Sequence, residues 1–504
     1  MAHKLSVLWP KKHRGVKRIE LKMVSRSVQS EATALGKALI FNASIFLQGG
    51  TCLPILPIDT GRYGTPEMKR IFEEETRVQK MLDVEAALAW AHGQVGDISK
   101  KDAEKIMASA LLERVKLSRI KEIEHEIRHD VAALVRALAE ASGQSGAFVH
   151  LGATSYDIVD TANALQLKES LELIEQRLHD LEKILWNKAN RYKQTLMMGR
   201  THGQHALPIT LGFKFALWKC EISRHIQRLK GCEKRVIVGK MSGAVGTQAA
   251  LGPHAMEIQK LVMRRLGIEV AEISSQIVQR DRHAELVSLL AIVAASLENF
   301  ATEIRELQRP EIAELFEAFE GEKQVGSSTM PNKQNPETCE TVCGLARIVR
   351  SLVIPALENV VTWHERDLTQ SSAERFIIPE AFILVDHMLS LMINVIDNLR
   401  VDEHRMLKNI ELTQGRALSE AVMTALVKKG MNRQDAHELL RKLALKSDVE
   451  KRPFREILLR NHIVSRKLSE EELDHALNPR NYLGTAMRQV EFVIGKKEQP
   501  ASEC

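Results

Sequence analysis

Aromatic residues are scarce in this chain, at 4% of 504 residues, and cysteines number six. Cys52, Cys220, Cys232, Cys339, Cys343 and Cys504 form no CxxC pair and no Cys/His set with zinc spacing. That argues against a zinc module and for free, buried thiols in a reducing, cytoplasmic setting. No apolar run approaches the roughly 20 residues a membrane helix needs, so no membrane partner is implied. Neither a GxxxxGKS/T loop nor a GxGxxG after a strand is present, which removes two common phosphate cradles. No carboxylate pair stands out for glycoside hydrolysis. No internal repeat, low-complexity segment or useful alternating strand pattern occurs.

Basic charge is also missing from the body of the chain. The net charge is +6, but residues 1–40 hold nine Lys or Arg against two Glu, and residues 41–57 hold no charge. The remaining 447 residues therefore sum to −1. A nucleic-acid partner needs a basic face on the folded domain itself, so none is expected. The extension 1–57 reads as an organelle-targeting segment, a flexible tail, or the product of an upstream start codon.

What is abundant is Ala, Leu, Glu and Lys, the strong helix formers. Leu167, Leu171, Ile174, Leu178, Leu181 and Leu185 step by four and three, a 3.5-residue repeat expected of long packed helices. Leu286, Leu290, Val293, Leu297, Ile304 and Leu307 repeat it. The spacing predicts another such helix over 340–363, kinked at Pro355, and one over 376–400. The expected fold is all-α in three parts. An N-terminal helical domain spans 58–154, a long-helix bundle 155–403 and a C-terminal helical domain 404–495, with a tail at 496–504.

Polar islands interrupt the helices: "HEIRHD" at 125–130, "HLGATSYDIVDT" at 150–161, "GRTHGQHALPIT" at 199–210, "GSSTMPNKQNPETCE" at 326–340 and "WHERDLTQSSAER" at 363–375. Alone, each passes for a surface loop or a helix entry, with Thr154 or Ser155 placed to cap. Together they supply an imidazole for acid work, a Ser-Ser in a glycine loop, and a lysine with amides. An elimination beside a carboxylate needs such parts. A base removes a C–H proton, donors hold the carbanion, and an acid protonates the leaving group.

"GSSTMPNKQNPETCE" resembles the GSSxMPxKxNxxxxE stretch of the fumarase/aspartase superfamily, whose members release fumarate by β-elimination. "GRTHGQHALP" and "HLGATSYDIVDT" resemble its other two characteristic regions, in order. Within it, "RYGTPEM", "IRHDV", "GKMSGAVGT" and "WHERDLTQSSAER" are similar to the adenylosuccinate lyase family, of the type in archaea and many bacteria. The resemblance spans residues 58–490.

The resemblance implies roles. Ser327 would be the base and His202 the acid, with Glu340 pairing that histidine. Lys333 and Asn335 would hold the succinyl carboxylates. His129 and His150 would contact substrate, as would Arg128, Asp130, Thr154, Ser155, Gln276 and Ser328. Arg62, Tyr63, Arg366, Ser371 and Arg375 would grip the nucleotide phosphate. The implied substrates are adenylosuccinate and the succinyl-carboxamide nucleotide SAICAR, with no metal and no cofactor. The implied assembly is a homotetramer with a twenty-helix core and sites shared between subunits. Argininosuccinate lyase is the alternative, disfavoured by the phosphate-gripping arginines. Two departures stand out: Asn332 and Gln334 replace the His and Arg frequent in the family's loop, and Glu337 adds a negative charge after it.

Overall fold

The computed structural model describes residues 55–319 and 324–495. Most of the N-terminal extension and the tail lie outside the described residues. The chain divides into two units, Met1–Arg62 and Tyr63–Cys504. Of the first, residues 55–62 form a turn in which the Asp59 carboxylate accepts the Leu56 N–H at 3.0 Å.

The second unit is built from helices. The first five are α1 (Pro66–Phe72), α2 (Glu74–Val95), α3 (Lys100–Ser109), α4 (Leu117–Ile127) and α5 (Asp130–Ser142). α2 stops at a glycine: Gly96 sits at φ 87° and donates to His92 O. α6 (Ser155–Arg191) follows, then strands β1 (Leu196–Thr201) and β2 (Gln204–Thr210), and α7 (Leu211–Val236). Next come α8 (Ala255–Leu266), α9 (Asp281–Gln308), α10 (Glu337–Ser351), α11 (Val353–Glu358) and α12 (Thr369–Asp397).

The two apolar repeats are the core seams. Every member on α6 is at most 1% exposed, and every member on α9 at most 2%. α6 packs on α7 and α12, and α9 on α10 and α12. Windows of α9 and α12 are apolar enough to cross a membrane, yet most of each lies buried within the protein. The expected kink at Pro355 is a break: α10 ends at Ser351 and α11 begins at Val353. α12 starts seven residues earlier than the apolar pattern suggests, because its first turns carry the polar "TQSSAER". Beyond it, Val422, Leu426, Leu440, Phe454, Leu458, Val464 and Leu473 form a separate apolar core.

The missed element is the β1–β2 hairpin. Thr201 pairs with Gln204, leaving His202 and Gly203 as a two-residue turn. Both have positive φ, 53° and 73°, the type I′ pattern that fits strand twist. His-Gly takes the place of the usual Asn-Gly, which hid the hairpin. The four described cysteines are free as expected, with Cys232, Cys339 and Cys343 buried.

Candidate functional site

The islands fold into two clusters at opposite ends of α9. That helix has 28 residues, about 42 Å at 1.5 Å per residue.

At its N-terminal end lies a cavity of about 450 Å³ lined by Arg128, His129, Asp130, Ser155, Tyr156, Arg366, Ser371 and Arg375. Three islands meet there because α4 ends, and α5, α6 and α12 begin, around it. Arg128 closes α4 in the left-handed region at φ 56°. His129 caps α5, its Nδ1 accepting the Ala132 N–H at 3.3 Å. Thr154 is the N-cap of α6, and Asp157 accepts the Thr154 N–H at 2.8 Å. The Arg375 guanidinium donates to Asp130 at 2.9 Å. Burial opposes the charge of Asp130, yet the Val131 N–H and Arg375 hold its carboxyl below its ordinary pKa. Arg366 lies over the Tyr156 ring at 3.6 Å and donates to Gln276 at 2.8 Å, while its buried Nε has no partner among the described residues. An unspent donor beside exposed arginines suits an anion.

Buried ion pairs brace this end. Arg280 is enclosed and donates to both Asp160 and Glu374. Asp157 takes the Lys240 ammonium and the Ser242 N–H at 2.8 Å, which fixes the "GKMSGAVGT" turn beneath α6. His150, at φ 64°, is bonded through Nδ1 to Glu85 at 2.6 Å.

At the other end of α9 lie the hairpin and the 324–336 loop. His202 is exposed at the hairpin tip. His205 sits opposite Arg200, and burial with that cation lowers its pKa, which keeps it neutral. Arg200 anchors the hairpin to Glu314 at 2.7 Å. The loop is tied by Asn335 Nδ2 donating to Gly326 O at 2.9 Å and Gln308 Nε2 donating to Gln334 O at 3.2 Å. The Ser327 hydroxyl oxygen accepts the Met330 N–H at 3.0 Å and the Thr329 N–H at 3.3 Å. Ser328 and Lys333 are exposed. Glu340 stands 4.0 Å from Arg305, and among the described residues no His202–Glu340 ion pair forms within one chain. Glu337 opens α10, where a negative charge suits the helix dipole. Asn332 and Gln334 are exposed.

Tyr63 belongs to neither cluster. Its ring sits 5.7 Å from His387, about 18 Å along α12 from Arg375. Arg62 is exposed at the end of the first unit.

A lyase family model matches residues 61–350, and a model of the adenylosuccinate lyase C-terminus matches 415–493. The chain is 49% identical over 449 residues to adenylosuccinate lyase of Methanocaldococcus jannaschii, covering 89% of this chain and 97% of that one. Against adenylosuccinate lyase of Pyrococcus abyssi it is 52% identical, covering 89% and 99%. This chain belongs to the adenylosuccinate lyase family. Its fold matches the crystal structure of the 3-carboxy-cis,cis-muconate lactonizing enzyme from Pseudomonas putida with a TM-score of 0.80 and 34% identity, covering 87% and 98%.

As an adenylosuccinate lyase family member it is a lyase, and the argininosuccinate alternative gains no support. Sequence reasoning missed three residues in or behind the cavity. Tyr156 stacks under Arg366 but hides beside Ser155 in its island. Arg77, from α2, lines an adjoining cavity of about 300 Å³ with Arg375. Glu85 is the lone carboxylate inside the apolar "VEAALAWA", a pattern that could have flagged it.

Proposed function

We propose that this lyase releases fumarate from adenylosuccinate, giving AMP, and from SAICAR, giving its carboxamide nucleotide AICAR. The observation that carries the reading is the arginine-lined cavity, with its unpaired Arg366 Nε, in a chain of this family. A phosphorylated substrate gives those cations a ligand.

In this reading Ser327 removes the proton beside the succinyl carboxylate. A serine needs help to act as a base. Two backbone N–H groups already point at its oxygen and would stabilise an alkoxide. Lys333 and Asn335 hold the carboxylates as negative charge builds. The C–N bond breaks, its electron pair goes to nitrogen, and His202 donates the proton there, with Glu340 keeping the imidazole charged. Arg366, Ser371 and Arg375 take the phosphate end, and Arg62 and Tyr63, which do not line that cavity, would join it from another copy. Arg128, His129, Asp130, His150, Thr154, Ser155, Gln276 and Ser328 make the remaining contacts.

In one chain the proposed base and phosphate grip lie at opposite ends of α9, a helix about 42 Å long, which supports a site assembled from several copies. A homotetramer supplies them. An exposed stripe of Ile292, Ala295, Asn299 and Thr302 on α9, with Ile354 and Leu357 on α11, offers an uncharged face for that packing. The chain is read in three parts, 58–154, 155–403 and 404–495. Its free thiols fit the cytoplasm.

The test follows ultraviolet absorbance as adenylosuccinate is consumed by the purified protein, with argininosuccinate as a control. Turnover of adenylosuccinate alone, abolished in Ser327→Ala, is the expected result. Turnover of argininosuccinate, or full activity in Ser327→Ala, would overturn the reading.

A further inference from the structure

Glu85 belongs to α2, and its carboxylate is fully enclosed. One oxygen bonds His150 Nδ1 at 2.6 Å, while Oε2 has no hydrogen-bond partner among the described residues. A buried carboxylate that leaves one oxygen unspent is an expensive way to tie down a loop. A neutral amide or a well-packed apolar side chain would tether the 149–154 segment more cheaply. The partner is itself unusual. His150 holds a left-handed backbone at φ 64°, and four residues later Thr154 caps the helix whose Ser155 lines the cavity. Gly152, at φ 71°, packs so closely on Ala250 O that a Cβ would sit 2.7 Å away. The ring is thus held by Glu85, and the loop that carries it by close backbone packing. Among the described residues its Nε2 edge has no hydrogen-bond partner, and the side chain is 20% exposed.

We propose that Glu85 is the positioning residue for His150, holding the ring by Nδ1 as a charged donor whose Nε2–H is presented to an anionic group of the substrate. This rests on the reaction proposed above for its substrate, though not for its electrostatics. The charged groups around the ring are Glu85 from α2 and Asp157 from α6, the latter already neutralised by Lys240. His92, next along α2, bonds the neighbouring Leu151 carbonyl at 3.0 Å and is paired with Asp97. Burial opposes the imidazolium, but Glu85, through charge and hydrogen bond, and Asp157 raise its pKa above the ordinary histidine value. Sign follows directly: without the Glu85 charge, His150 loses its proton at lower pH.

Glu85→Gln decides between a charge role and a tether, because glutamine keeps the size and still accepts from Nδ1–H. In the full-length protein, diethyl pyrocarbonate labels neutral imidazole, and peptide mapping reads the His150 peptide across pH. The midpoint should fall in Glu85→Gln. In parallel, KM for adenylosuccinate should rise about tenfold on the alkaline side for each pH unit the midpoint falls, with kcat moved less. Unchanged midpoint and KM in Glu85→Gln, with loss of activity and Tm only in Glu85→Ala, would leave a tether and overturn the proposal. Should Glu85→Gln fail to fold, His150→Gln gives the second route. It is expected to raise KM most on the acid side, where the parent imidazole is charged, and to approach the parent on the alkaline side; an equal rise at every pH between 6 and 9 would overturn the charged-donor role. If the parent protein leaves adenylosuccinate uncleaved, the assigned reaction falls while the labelling midpoint still decides the role of Glu85.

Discussion

The two ends of α9 are built on different principles. At the N-terminal end the cavity is braced by buried charge: Arg280 between Asp160 and Glu374, Lys240 on Asp157, and Glu85 on His150. At the other end the groups read as base, acid and clamp ride on an exposed loop and a hairpin tip; Arg200 on the buried Glu314 anchors the hairpin's strand, while the loop itself is held by a few single hydrogen bonds. Under the proposed reaction the phosphate-binding end would be set before substrate arrives, and the chemical end would have to move to shut water out, which glycine and small polar residues permit. Rigidity would then fall where the anion is recognised, and freedom where the proton is transferred.

Removing the base should give the largest break in that contrast. Ser327→Ala is expected to lose on the order of 10³-fold in kcat with Tm unchanged, since the side chain is only loop-bonded. Stopped-flow or steady-state absorbance with calorimetry checks both halves. Mixing Ser327→Ala with Arg366→Ala, each inactive alone, should restore activity if the two ends meet across subunits. No recovery after confirmed subunit exchange would count against shared sites.

The braced end should fail in the opposite way. Arg280→Met leaves Asp160 and Glu374 buried without their cation, a change worth about 3–5 kcal/mol of stability. Urea denaturation should show it as a lower midpoint, with activity lost in proportion to folding. A catalytic loss with intact stability would mean that the network tunes chemistry rather than holding the cavity.

An intermediate effect is expected at Gly326. A Cβ there would stand 2.2 Å from the Lys333 carbonyl oxygen, so Gly326→Ala must spread the loop. About 10²-fold in kcat should go, by misplacing Ser327 and Lys333 together, while Tm holds.

The sequence carried the two ends unequally. Seams such as Leu167–Leu185 were readable because burial of a 3.5-residue repeat is a local rule, and all six side chains are enclosed. The loop was readable as a motif. The hairpin was not, because its turn uses His-Gly and its strand "LMMGRT" lacks alternation. Nor was the separation of the clusters, which depends on α9 running its full 28 residues between them. Glu85 and Tyr156 act through partners 65 and 210 residues distant, and pairing at that range leaves no local trace.

The smallest effect concerns the bundle between the ends. His225 on α7 is buried, bonded to Ser296 of α9 at 2.8 Å and to Arg228 at 3.2 Å. Burial, with Arg228 adding to it, lowers its pKa to about 4. The folded pKa is then below the unfolded value near 6.5. The unfolded chain binds more protons between those values, so stability is full above pH 6.5 and declines as pH falls toward 4. His225→Gln cannot charge, so its stability should fall less steeply over that window, by an amount on the order of 1–3 kcal/mol at the acid end, read from urea denaturation at each pH. At neutral pH the glutamine variant should sit slightly below the parent, for its altered packing. Parallel acid slopes in the two proteins would show that His225 takes up its proton alike in the folded and unfolded states, and would move the acid loss to the braced carboxylates of the N-terminal end.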